Sequence, residues 1–127
     1  MRGGSSHRIE TLPLKVLIVE DNPMARAALE KVLAREGFCV QSAGTLQRGR
    51  ELLDGQGAVI LDLDLPDGSG AELLKQIRTE KRGITVVVVT GSVDPALLSD
   101  VRRLDPDALF HKPLDVRAML KHLDAPR

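Results

Sequence analysis

Asp62 closes the apolar run Val59-Ile60-Leu61 and opens the turn sequence Leu63-Asp64-Leu65-Pro66-Asp67-Gly68-Ser69-Gly70. A carboxylate at such a junction stands on a rigid strand and faces a loop, where ligands bind in open α/β sheets. Two further apolar runs end in polar groups. Val16-Leu17-Ile18-Val19 runs into Glu20-Asp21, and Val86-Val87-Val88-Val89 runs into Thr90-Gly91. A shorter run ends in His111-Lys112-Pro113. Brought together, Glu20, Asp21 and Asp62 repel one another unless a cation joins them. A hard divalent ion, Mg²⁺ in the first place, takes oxygens from one or two carboxylates, a carbonyl, water and phosphate. A carboxylate can also attack phosphorus itself, in a transfer that depends on positioning and charge neutralisation. Thr90, with small Gly91 beside it, can donate to a phosphoryl oxygen, and Lys112 can pair with another. The residue types therefore point to metal-assisted phosphoryl transfer, with one of the carboxylates able to act as the acceptor.

Such a site exists only if strand ends converge, and the sequence alternates accordingly from Leu14 onward. Strands are expected over 15–19, 39–43, 58–63, 85–89 and 108–111. Asn22-Pro23 supplies a cap and a first helical residue; that helix carries Ala27, Leu29, Val32 and Leu33 on one stripe and ends at Gly37. Further helices are expected over 45–53, 71–78, 95–104 and 115–123, with Leu73, Leu74 and Ile77 facing inward from the third. Five βα units imply right-handed crossovers and helices on both faces. The expected fold class is α/β: a doubly wound, five-stranded parallel sheet of flavodoxin-like order 2-1-3-4-5. The first and third strands then flank the switch point and bring Glu20, Asp21 and Asp62 to one crevice. Residues 1–13 read as a flexible N-terminal extension, native or left from expression, and 14–124 as the domain.

Composition narrows the function. The chain of 127 residues has the length of one domain. A formal net charge of zero gives no electrostatic argument for direct nucleic-acid or membrane binding. Aromatic residues make up only 2%, too few for a base-stacking surface. No apolar run approaches the ~20 residues that span a bilayer, and the first residues lack the apolar core of a secretory signal. Cys39 is the single cysteine, so no internal disulfide forms, and a cytoplasmic setting is expected. Within Phe38-Cys39-Val40 it reads as a buried structural thiol. His7 and His122 have no metal-ligand spacing, and His111 reads as a strand residue rather than a phosphohistidine.

In these motifs the chain resembles the receiver domain of bacterial two-component response regulators, from Leu14 to about Leu123. Glu20-Asp21 matches the family's acidic pair. Asp62, with Pro66 four residues on and Gly70 eight on, matches its phospho-accepting aspartate. Thr90-Gly91 and Lys112-Pro113 match its remaining motifs. The resemblance implies that Asp21, Asp62 and the backbone carbonyl of Asp64 ligate Mg²⁺, with Glu20 assisting through a water. It implies that Thr90 and Lys112 act on the phosphoryl group, which comes from a histidine kinase or histidine phosphotransfer protein. It also implies that Thr90 belongs to the switch. One position departs: the family's switch aromatic, three residues before the lysine, is Leu109 here, and strand alternation sets Phe110 on the other face.

Only self-phosphorylation from phosphodonors and autodephosphorylation are expected, not turnover of an independent substrate. Little sequence follows Leu123, so output is expected through a downstream protein partner or an output domain outside this chain; homodimerisation is left open. Two alternatives remain. Asp62-Leu63-Asp64 resembles the Asp-x-Asp of haloacid-dehalogenase-type phosphatases, although that family carries the motif on its first strand, before its other acids. The other alternative is a receiver-like interaction module that is never phosphorylated.

Overall fold

The computed structural model describes residues 13–124. The expected extension therefore lies outside the described residues, except for the exposed Pro13. The main strands are β1 (Lys15–Val19), β2 (Cys39–Ala43), β3 (Ala58–Asp62), β6 (Thr85–Thr90) and β7 (Ala108–His111). The helices are α1 (Pro23–Arg35), α2 (Leu46–Glu51), α3 (Ala71–Thr79), α4 (Pro95–Arg103) and α5 (Val116–Asp124). Two short strands, β4 (Asp64–Leu65) and β5 (Gly68–Ser69), form a hairpin directly after Asp62.

Every pairing in the main sheet is parallel, and its order is β2-β1-β3-β6-β7. With the small hairpin set aside, this is the order 2-1-3-4-5 expected from the sequence. The central strand β3 is buried along its whole length, as its unbroken apolar run predicts. Leu17, Val19, Val59, Leu61, Val86 and Val88 face one side of the sheet and pack against α2, α3 and α4. Val16, Ile18, Ile60, Val87 and Val89 face the other and pack against α1 and α5, through Leu33, Met119 and Leu123. This two-sided core holds the strand ends in fixed register.

Local signals start and stop the helices. Asn22 Oδ1 accepts from the N–H groups of Met24 and Ala25 at 2.9 and 3.0 Å, and Pro23 follows. After α1, Gly37 takes φ +95° while the Phe38 N–H donates to Leu33 O, a left-handed stop. Asp94 caps α4 through the Ala96 N–H at 3.0 Å, ahead of Pro95.

Four details differ from the sequence reading. Helix α2 is shorter than 45–53: Thr45 acts as its cap rather than its first turn, and Leu52 is already its C-cap. The turn sequence 63–70 holds the β4–β5 hairpin, too short to leave an alternating pattern. Ala27 is exposed; at about 100° per residue it lies on the opposite side of α1 from Leu29 and Leu33. Cys39 is exposed rather than buried. It begins edge strand β2, paired on one side only, and alternates with Val40, so it faces the side that short α2 leaves open.

Candidate functional site

The register of the sheet decides which residues meet. Val19 pairs with Leu61, Asp62 with Val89, and Thr90 with His111. Glu20, Asp62, Thr90 and Lys112 consequently stand side by side along the carboxyl edge of four adjacent strands. Carboxylate oxygens of Glu20, Asp21 and Asp62 all lie within 4.8 Å of one another. Glu20 and Asp62 are buried, whereas Asp21 is exposed.

Lys112 is the cation that answers this charge. Its Nζ donates to Asp62 Oδ2 at 3.0 Å and to Glu20 Oε1 at 3.2 Å, and its side chain is 39% exposed. Its backbone N–H donates to Thr90 O at 2.9 Å, which ties the end of β7 to that of β6, and the Lys112–Pro113 peptide is cis. Burial pushes the Glu20 carboxyl above the ordinary range; the neighbouring Asp62 adds to this, while the Asn22 N–H and Lys112 oppose it. Partial burial works against the charge of Lys112, but its bonds to Asp62 and Glu20 outweigh that and hold the ammonium above its usual value.

The other carboxylate oxygens are fixed by backbone. Asp62 Oδ1 accepts from the Asp64 N–H at 3.1 Å, and Glu20 Oε2 from the Asn22 N–H at 3.0 Å. Thr90 is fully buried, and its Oγ1 accepts from the Ser92 N–H at 3.0 Å. That bond leaves the Thr90 hydroxyl proton free to be donated. A cavity of about 400 Å³ lies between α1 and the sheet; apolar along Ala25, Leu29, Val32 and Ile60, it ends at Glu20, Asp62 and Lys112.

Leu109 is half-buried among the residues facing α2, α3 and α4. Phe110 packs in the opposite layer, edge-on to His122 with ring centroids 5.6 Å apart. Phe110 thus cannot stand in for an aromatic at position 109.

Two residues near the site were not singled out by their sequence. Asp67, in the turn of the β4–β5 hairpin, accepts from the Leu46 and Gln47 N–H groups at 2.7 and 2.9 Å and so caps α2 from another part of the chain. Nothing local announces a partner about twenty residues away. Arg26, in the first turn of α1, donates from Nη1 to Glu20 O at 2.8 Å and Asp21 O at 3.4 Å. Helical side chains lean toward the helix N-terminus, so its position one turn after Asn22-Pro23 was a readable signal.

The chain is similar to known proteins in sequence and fold. A family model for the response regulator receiver domain matches residues 16–124. The TorCAD operon transcriptional regulatory protein TorR of Escherichia coli K12 is 29% identical over 111 residues, covering 86% of this chain and 48% of that protein. The chain thus spans about half the length of this curated relative. The crystal structure of a response regulator receiver protein from Pseudomonas putida superposes with a TM-score of 0.82 at 30% identity, over 90% of this chain and 98% of that one. A CheY-like receiver domain protein from Methanospirillum hungatei gives 0.81 at 26% identity, over 87% and 90%. The acidic pair precedes Asp62 and follows directly on β1, the reverse of the order in the phosphatase alternative. With its strand order, its carboxyl-edge cluster and a family match across nearly all the described residues, the chain belongs to the response regulator receiver domain family.

Proposed function

We propose that Asp62 accepts a phosphoryl group from a phosphohistidine of a kinase or phosphotransfer protein, within the unit 14–124. The carrying observation is Lys112 bridging Asp62 and Glu20, with Asp21 beside them and Thr90 on the next strand. In the transfer, an Asp62 oxygen attacks phosphorus, a P–O bond forms, and the P–N bond to the donor imidazole breaks. Lys112 stays protonated and neutralises oxygen charge, while Thr90 donates its free hydroxyl proton to another phosphoryl oxygen. Lys112 balances one charge among three carboxylates, so the all-oxygen donor set fits a hard divalent cation better than a soft one. Asp21, Asp62 and the Asp64 carbonyl would hold Mg²⁺, with Glu20 reaching it through water. When bound, the metal supplies charge neutralisation at the phosphoryl oxygens.

The setting is the cytoplasm, and output passes through a partner protein or an output domain. Among the described residues no helix is long and apolar enough to cross a membrane. Intact mass after treatment with acetyl phosphate and Mg²⁺ tests the assignment. One phosphoryl adduct is expected on the parent, and none on Asp62→Asn or in EDTA. An adduct that persists in Asp62→Asn, or that forms undiminished in EDTA, refutes it.

A further inference from the structure

Glu20 is held at four points. Its N–H donates to Ala43 O at 2.9 Å, and its two carboxylate oxygens take Lys112 Nζ and the Asn22 N–H. Its backbone carbonyl takes the Arg26 guanidinium, which also reaches the carbonyl of Asp21. Arg26 therefore touches the backbone of both acids in the pair and the carboxylate of neither. A Cβ built on Gly44, the residue after β2, would stand 3.0 Å from Arg26 Nη1 and 4.0 Å from Glu20 O. The guanidinium passes through a space that any larger residue at position 44 would narrow.

We infer, on the phosphoryl-transfer reading given above, that Arg26 is a positioning residue: its guanidinium Nη1, donating to both carbonyls, sets the turn that presents Glu20 and Asp21 to the divalent cation, and Gly44 keeps its path open. The geometry separates this role from simple charge. A positive group beside the cluster repels a divalent cation, so charge alone would make Arg26 weaken metal binding. Positioning makes it strengthen binding. Lysine keeps the charge but loses the rigid guanidinium plane that aims Nη1 at both carbonyls, and Gly44→Ala keeps Arg26 but crowds it.

The test compares parent, Arg26→Lys and Gly44→Ala by calorimetric titration with Mg²⁺, and by phosphoramidate labelling at limiting and saturating Mg²⁺. Thermal unfolding in EDTA and amide chemical shifts in EDTA accompany them. Both variants are expected to bind Mg²⁺ roughly 10-fold more weakly, the usual loss when a group supporting a metal ligand is removed. Labelling is expected to be slow at limiting Mg²⁺ and to return to the parent rate at saturation, with metal-free amide shifts confined to the turn at 20–22. Parental Mg²⁺ affinity in Arg26→Lys overturns the inference, as does labelling that stays slow at saturating Mg²⁺. Loss in Arg26→Lys with parental affinity in Gly44→Ala supports the role of the guanidinium and overturns the part given to Gly44. Should Arg26→Lys fail to fold, Gly44→Ala decides by the same criteria. A parent that neither binds Mg²⁺ nor labels defeats the phosphoryl-transfer reading itself, a separate result.

Discussion

Single residues at this site divide into those that announce themselves and those that do not. Asp62, Glu20-Asp21, Thr90 and Lys112 were legible because each terminates an apolar run, and strand ends are where a parallel sheet gathers chemistry. Asp67 was not legible, since a loop aspartate looks the same whether solvated or capping a distant helix. Its two bonds to the Gln47 and Leu46 N–H groups hold its carboxyl below the usual range. A carboxyl whose pKa falls on folding adds stability above its unfolded pKa and loses that share as pH drops through the folded one. Asp67→Ala is therefore expected to melt below the parent at pH 7. The gap should close progressively below about pH 4, where aspartate protonates. Melting curves over that range check it, and a gap that does not change with pH would show that the carboxylate charge is irrelevant to the cap.

At the scale of elements, the hairpin after Asp62 is the part least visible beforehand. It is two residues per strand, and its fixing contacts come from elsewhere: the Gly70 N–H donates to Leu63 O at 2.9 Å, and Asp67 reaches α2. Gly70 has ordinary helical angles, φ −58° and ψ −22°, so space rather than conformation demands glycine there. A Cβ at that position would lie 2.1 Å from Asp62 O. Gly70→Ala is thus expected to lower stability by about 1–3 kcal/mol, the range for overpacking, and to slow labelling of Asp62 by moving its backbone. Denaturant unfolding and labelling rates measure both effects. Strand β7 yields a second expectation. Leu109 has no ring to rotate, and a modification shifts an equilibrium only by its differential interaction with the two states. Amide shifts on forming the beryllofluoride complex should therefore be larger around Asp62 and Thr90 than along β7. Equal shifts along β7 would show that leucine switches as an aromatic does.

Across the whole molecule, the order of the sheet and the division of helices between its faces followed from the alternation of apolar runs. Exposure at the margins did not. Cys39 sits among apolar neighbours in sequence, and only the knowledge that β2 is an edge strand shows that it faces solvent. The same global view makes the acidic cluster a stability matter. Two buried carboxylates share one lysine, so removing the charge of one relieves the other. Asp62→Asn is expected to melt above the parent in EDTA. Saturating Mg²⁺ should raise the parent by a few degrees, since a ligand at ten times its Kd adds about 1.4 kcal/mol. The variant should gain less. Calorimetric scans with and without Mg²⁺ decide this, and equal gains in both proteins would place the metal elsewhere.

The exposure of Cys39 has a practical side. It pairs with Lys15 at the amino end of the sheet, while Glu20 and Asp62 stand at the carboxyl ends of β1 and β3. Being the chain's one thiol, it is a natural anchorage for a maleimide dye, set at the far end of β1 and β2 from Asp62. A fluorophore there can watch a partner arrive or leave by energy transfer, without a cysteine having to be added or removed.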